Sequence, residues 1–107
     1  MEVINIKGTD DTPNVILDKA SGHFEISGRS LPEDVNQFYE QILDWIDEYA
    51  KDPLDRTEFN FKLEYFNTAS SKVILDILLK FEEIVEKGKE VVIKWHYHED
   101  EEDMLEA

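Results

Sequence analysis

The sequence contains no cysteine, and this excludes disulfides, thiol catalysis and cysteine-ligated zinc at once. Its four glycines, Gly8, Gly22, Gly28 and Gly88, are too scattered to form a phosphate-cradling loop, and there is no nucleophile elbow. No apolar run approaches the length of a membrane span, and Met1–Lys7, broken by Glu2 and Asn5, does not read as a signal peptide. Cations are scarce as well. Eleven Lys and Arg face 26 Asp and Glu, a net charge of −15, which argues against binding a nucleic-acid backbone or an anionic membrane. A partner is expected to present a basic face. Together these absences point to a cytoplasmic protein.

What remains is enough for one core. The 107 residues are 41% hydrophobic and 11% aromatic, so a single folded domain over residues 1–107 is expected. Val3, Ile4 and Ile6 suggest a first strand, followed by the turn-rich segment Gly8–Pro13. Val15–Leu17 and His23–Ile26 suggest a hairpin across Asp18–Gly22. Ser30 three residues before Glu33 reads as a capping box, with Pro32, Glu33 and Asp34 in the first turn of a helix. Val35, Phe38, Tyr39, Ile42, Ile46 and Tyr49 then recur at helical spacing up to Asp52-Pro53.

From Thr57 the period becomes two, with Phe59, Phe61, Leu63 and Tyr65 expected on one face. A second helix from about Asn67 or Thr68 to Glu86 stops at Gly88, and its apolar residues cover more than one stripe. A last strand spans Glu90–His98, and the acidic segment after it could open a third helix. The order β-β-β-α-β-α-β predicts an α/β fold: a mixed sheet of about five strands with two main helices packed on it.

Candidate sites are few. In Tyr65-Phe66-Asn67-Thr68-Ala69-Ser70-Ser71-Lys72 a strand meets a helix N-terminus, where free amides and the macrodipole favour negative charge. Three hydroxyl residues fall there, yet no acid occurs between Glu64 and Asp76. Either one hydroxyl receives a phosphoryl group, with Lys72 as counter-charge, or Asn67 or Thr68 simply caps the helix while Ser70 and Ser71 fill the turn. His96 and His98, two apart on a strand and followed by Glu99 and Asp100, could hold a divalent ion, although no third ligand is identifiable. His23 has no partner motif. No catalytic set assembles, so neither an enzyme nor a cofactor is expected.

Three segments together resemble a known family: Thr12-Pro13-x-Val15 with Leu17-Asp18 and Gly22; Ile26-Ser27-Gly28-Arg29-Ser30-Leu31-Pro32-Glu33; and Tyr65 through Lys72. A weaker fourth match is Trp95-x-Tyr97 leading into Glu101–Glu106. The pattern is similar to the SiaC-type bacterial regulatory phosphoproteins, STAS-like domains related in architecture to anti-sigma-factor antagonists. The resemblance implies a signalling protein phosphorylated on Thr68 by a serine/threonine kinase and dephosphorylated by a PP2C-type phosphatase. Its unphosphorylated form would bind a target such as a diguanylate cyclase, with Tyr65, Asn67, Ser70, Ser71 and Lys72 beside the switch. Chains of this family continue past the acidic segment, whereas this sequence ends at Ala107. Two other classes stay open: a STAS-like anti-sigma-factor antagonist, ligand-binding or scaffold module without phosphorylation, and a metal-binding protein using His96 and His98.

Overall fold

A computed structural model describes residues 2–96; Tyr97, His98 and the acidic segment expected to open a third helix lie outside the described residues. The elements are β1 (Ile4–Ile6), β2 (Asn14–Asp18), β3 (His23–Ser30), α1 (Val35–Lys51), β4 (Arg56–Phe66), α2 (Thr68–Glu86) and β5 (Glu90–Trp95). They form the expected mixed sheet of five strands, in the spatial order β1-β2-β3-β4-β5. The first three strands pair antiparallel, while β3–β4 and β4–β5 pair parallel across the two helical crossovers. No helix among the described residues is long and apolar enough to cross a membrane.

Alternation along the strands decides which face is covered. Val15, Leu17, Phe24, Ile26, Thr57, Phe59, Phe61 and Leu63 are buried on one face. There they meet Tyr39, Ile42, Ile46 and Tyr49 of α1 and Val73, Ile77, Phe81 and Ile84 of α2. Aromatic contacts join the layers: the Phe24 ring lies 5.2 Å from Tyr49 and 5.9 Å from Trp45, and Phe59 lies 5.2 Å from Phe81.

The opposite face is polar and laced with ion pairs. Lys62 meets Glu25 at 3.0 Å, and Lys94 and Arg56 reach Glu58 at 2.8 and 3.1 Å. Such exposed pairs each contribute about 0 to 1 kcal/mol, so this face gains solubility more than stability. Three further lysines converge on the C-terminal end of α1. Lys19 Nζ donates to the Asp52 carbonyl at 2.6 Å, Lys87 Nζ donates to the Ala50 carbonyl at 2.9 Å, and Lys89 pairs with Asp55 just beyond, at 2.9 Å. Cations belong where a helix exposes carbonyls and its negative dipole end.

The start of α1 differs from the expectation. The helix begins at Val35, with Asp34 as N-cap accepting from the Gln37 amide at 3.0 Å, and its first turn contains no acid. Pro32 and Glu33 precede the helix, and Ser30 does not cap it. Ser30 is instead the buried last residue of β3, which runs four residues beyond Ile26 because parallel pairing with β4 satisfies its backbone. A local serine–glutamate motif lost to a long-range ladder that sequence spacing does not display.

The ladder also corrects Tyr65. Between Gly28 and Arg29 the register shifts: Gly28 pairs with Leu63, but Arg29 pairs with Tyr65, leaving Glu64 as an extra residue on β4. Gly28 sits at φ +93°, a conformation that side-chain-bearing residues rarely adopt. The bulge breaks the period-two alternation. Tyr65 becomes 51% exposed, 5.8 Å beneath the Arg29 guanidinium, while Phe66 turns inward onto Trp95, with 6.0 Å between ring centroids.

Two outcomes test this account. Gly28→Ala should lower unfolding free energy by about 1 to 3 kcal/mol through backbone strain, read from a urea transition with unchanged slope. For Glu58, hydrogen bonds from Lys94 and Arg56 hold the carboxyl below the ordinary glutamate range. A lowered folded value means the stabilisation is complete above about pH 4.3, the usual glutamate value, and is lost as pH falls through the folded value. The stability difference between wild type and Glu58→Gln should therefore shrink on acidification below that point.

Candidate functional site

Parallel β-α connections bring the starts of both helices to the same end of the sheet, at the C-terminal ends of β3 and β4. The loop before β2 reaches this end too. The Leu31 amide donates to the Asp11 carbonyl at 2.6 Å, and Arg29 Nε donates to the Asp10 carbonyl at 3.2 Å. The Asn67 amide donates to the Ser30 carbonyl at 3.1 Å. The loop just before the first motif segment thus meets the other two segments, 26–33 and 65–72, at one end of the molecule.

The turn into α2 is built by Asn67. Its extended backbone (φ −83°, ψ 172°) makes it the N-cap, and its side-chain oxygen accepts from the Ser70 amide at 2.8 Å. Thr68 is then the first helical residue. The first turn carries no acidic side chain, so its amides and the positive dipole end meet no anion from their own helix. The capping reading of the sequence is realised in Asn67, which leaves the Thr68 side chain unused for capping.

The three hydroxyls of this turn have separate environments. Thr68 is exposed and its hydroxyl has no partner among the described residues. Ser71 is half-buried and donates to the Thr68 carbonyl at 2.6 Å. Ser70, expected beside the switch on a docking surface, is fully buried and unavailable to a partner. Position on the helix decides this, because Ser70 shares the inward stripe with Val73, Ile74 and Ile77. Lys72 is exposed and makes no ion pair among the described residues; with Ala69, Asp76, Glu33 and Asp34 it lines an open cleft of about 600 Å³ between the two helix starts.

Ser70 belongs to a buried hydroxyl network that the motif reading missed. Ser30 Oγ lies 2.6 Å from the Tyr39 hydroxyl and donates to Ser70 Oγ at 2.9 Å; Ser70 Oγ donates to the Ser30 carbonyl at 3.0 Å. With Tyr39 donating to Ser30, each of the three hydroxyl protons of this network has an acceptor. Burial pushes the Tyr39 phenol above its ordinary value, outweighing the Ser30 hydrogen bond, so the group stays neutral as a donor. The available signal was Tyr39 itself, a polar-tipped residue within an apolar helical stripe.

The histidines do not form a metal centre with described neighbours. His96 Nε2 lies 3.2 Å from Asn60 Oδ1, His23 lies 3.7 Å from Glu25, and His98 is outside the described residues. Among the described residues no group of three or more His, Asp or Glu side chains could hold a metal ion.

The sequence model described as SiaC family regulatory phosphoprotein matches residues 6–107. An uncharacterized protein of Pseudomonas aeruginosa is 34% identical over 97 residues, 91% of this chain and 77% of that protein. The crystal structure of apo-SiaC from Pseudomonas aeruginosa superposes with a TM-score of 0.91 at 32% identity, spanning 98% of this chain and 87% of that one. SiaC is also similar in its complex with the diguanylate cyclase SiaD, which it activates: TM-score 0.89, 33% identity, 96% of this chain and 84% of that one.

The hydroxyl network carries its own prediction. Tyr39→Phe removes a donor that Ser30 accepts and should cost about 1 kcal/mol. Ser70→Ala leaves the Ser30 hydroxyl and carbonyl each short of a partner in the core, and should cost about 1 to 3 kcal/mol. Both are read from chemical denaturation.

Proposed function

The chain belongs to the SiaC family of regulatory phosphoproteins, and on that premise we propose that it is a non-catalytic signalling protein switched by phosphorylation of Thr68. The observation carrying the reading is the exposed Thr68 hydroxyl at the first position of α2, in a turn free of acids within a chain of 26. A phosphoryl group there adds about −1.5 to −2 charges. The helix dipole and unpaired amides stabilise that charge by about 0.3 to 1 kcal/mol, so the domain stays folded. Lys72, one turn on, supplies the nearest positive charge of the same helix.

In this mechanism a serine/threonine kinase writes the mark and a PP2C-type phosphatase erases it, in the cytoplasm. The unphosphorylated protein engages and regulates a target enzyme, as SiaC does with the diguanylate cyclase SiaD in Pseudomonas aeruginosa; a diguanylate cyclase is the target proposed here. The docking surface takes in Thr68, Lys72, the outward-turned Tyr65 and the exposed leucines of α2. Phosphate places bulk and a dianion within that surface, and binding is lost without refolding.

The test compares wild type, Thr68→Ala and Thr68→Glu against the diguanylate cyclase of the same organism by calorimetry. Thr68→Ala should bind like wild type and Thr68→Glu roughly tenfold or more weakly, with enzymatically phosphorylated protein weaker still. Equal binding by both variants would sink the switch.

A further inference from the structure

At the sheet edge away from β5 the molecule leaves an apolar strip uncovered. β1 pairs on one side only, and the register that sets Ile4 beside Leu17 and Ile6 beside Val15 puts both isoleucines on the helix-covered face. They are nevertheless only partly buried, and Val3 just before them is 55% exposed. Trp45 of α1 is tied to this strip, its Nε1 donating to the Glu2 carbonyl at 2.7 Å. Between β1 and the flank of α1 lies an open groove of about 530 Å³, lined by Val3, Ile4 and Trp45 together with Glu2, Asp44 and Glu48.

We infer that this edge is a separate docking site, and that its occupant is a short, extended, basic segment of a protein partner that continues the sheet past β1. An edge strand keeps one row of amides and carbonyls unpaired, which is a template for another chain. A strand laid beside β1 sends every second side chain into the groove, where aliphatic groups or the stems of Lys and Arg cover Val3, Ile4 and Trp45. Their charged tips then reach Glu2, Asp44 and Glu48. A helix is a poorer match, because the apolar lining is three residues long and the edge of β1 would stay unpaired.

Charge selects the partner. Glu2 and Asp44 make no ion pair among the described residues, and Glu48 meets the exposed Lys51 at 3.0 Å. Edge-to-edge pairing with a second copy would bring these carboxylates together, and the net charge of −15 adds to that repulsion. The same groups attract Lys and Arg. Lys7, just past β1, is the single cation of Glu2–Lys7, so the matching segment is basic where it lies over Glu2. The site stands apart from the proposed switch: β1 and β5 are opposite edges of the sheet, and Thr68 opens α2, which packs against α1 and β5. The inference does not depend on modification of Thr68.

The probes are labelled peptides of about ten residues, enough for a strand of ordinary length. One alternates Val and Lys, and one alternates Val and Glu. A third is the Val–Lys peptide N-methylated on two adjacent central residues, which removes amide donors from both of its edges. By fluorescence anisotropy the Val–Lys peptide should bind wild type and the Val–Glu peptide should not. Asp44→Lys/Glu48→Lys should weaken the Val–Lys peptide roughly tenfold or more. Glu82→Lys/Glu86→Lys, an equal change of net charge on α2, should weaken it far less. All four side chains are exposed, so both variants keep the fold. The N-methylated peptide should bind weakly to wild type, and Thr68→Glu should bind the Val–Lys peptide as wild type does. In a two-dimensional NMR titration the amides of β1 should shift most.

No binding of the Val–Lys peptide, or an equal loss in the two charge-reversed variants, overturns the site, the second because it reduces the attraction to net charge alone. Equal binding by the N-methylated peptide overturns strand pairing as the mode of docking. A wild-type dimer in sedimentation that dissociates on Val3→Asp gives the edge to a second copy and overturns the proposed occupant. Loss of the Val–Lys peptide on Thr68→Glu overturns the independence of the two sites.

Discussion

Ser30 is the residue on which the working end of the molecule depends. Its carbonyl accepts from both the Asn67 amide and the Ser70 hydroxyl, and its own hydroxyl joins Tyr39 to Ser70. One buried serine therefore ties the end of β3 to the first helix and to the turn that opens the second. Because the network lies in a low-dielectric interior and all its donors are matched, it defines one position for the start of α2. Thr68 is held at the surface as a consequence of where Ser70 is held inside.

Charge is arranged with equal economy. With 26 acids and 11 Lys and Arg, cations are the limiting group. Three lysines serve the C-terminal end of α1, and others neutralise Glu25 and Glu58 on the open sheet face. Against that background the first turn of α2 stands out, since it carries no acid and Lys72 has no ion-pair partner among the described residues. The proposed phosphate would complete an electrostatic arrangement that the unmodified chain leaves open.

The bulge between β3 and β4 contributes to this end in a different way. By inserting Glu64 it reverses the phase of the last two residues of β4, sending Tyr65 out beneath Arg29 and Phe66 in against Trp95. Without it, strict alternation would bury Tyr65 and expose Phe66, and the entry to α2 would be apolar. Its position beside the candidate site fits the general use of bulges to re-aim side chains.

Element order, the two helical stripes, the period-two strand and the acid-free run at Asn67–Ser71 were legible from spacing alone, because each depends on residues within a few positions of one another. The proposal for Thr68 came from its surrounding motif set beside the family that the chain resembles. The limits of β3, the true cap of α1 and the phase of Tyr65 were not legible from spacing, since each depends on pairing between segments some 35 to 40 residues apart. Local chemistry nominated Ser30 as a cap and Ser70 as a surface contact; the parallel ladder and the buried hydroxyls placed both in the core. A chain's periodicity says which residues want to leave water, but only the assembled sheet determines which hydroxyl is left outside.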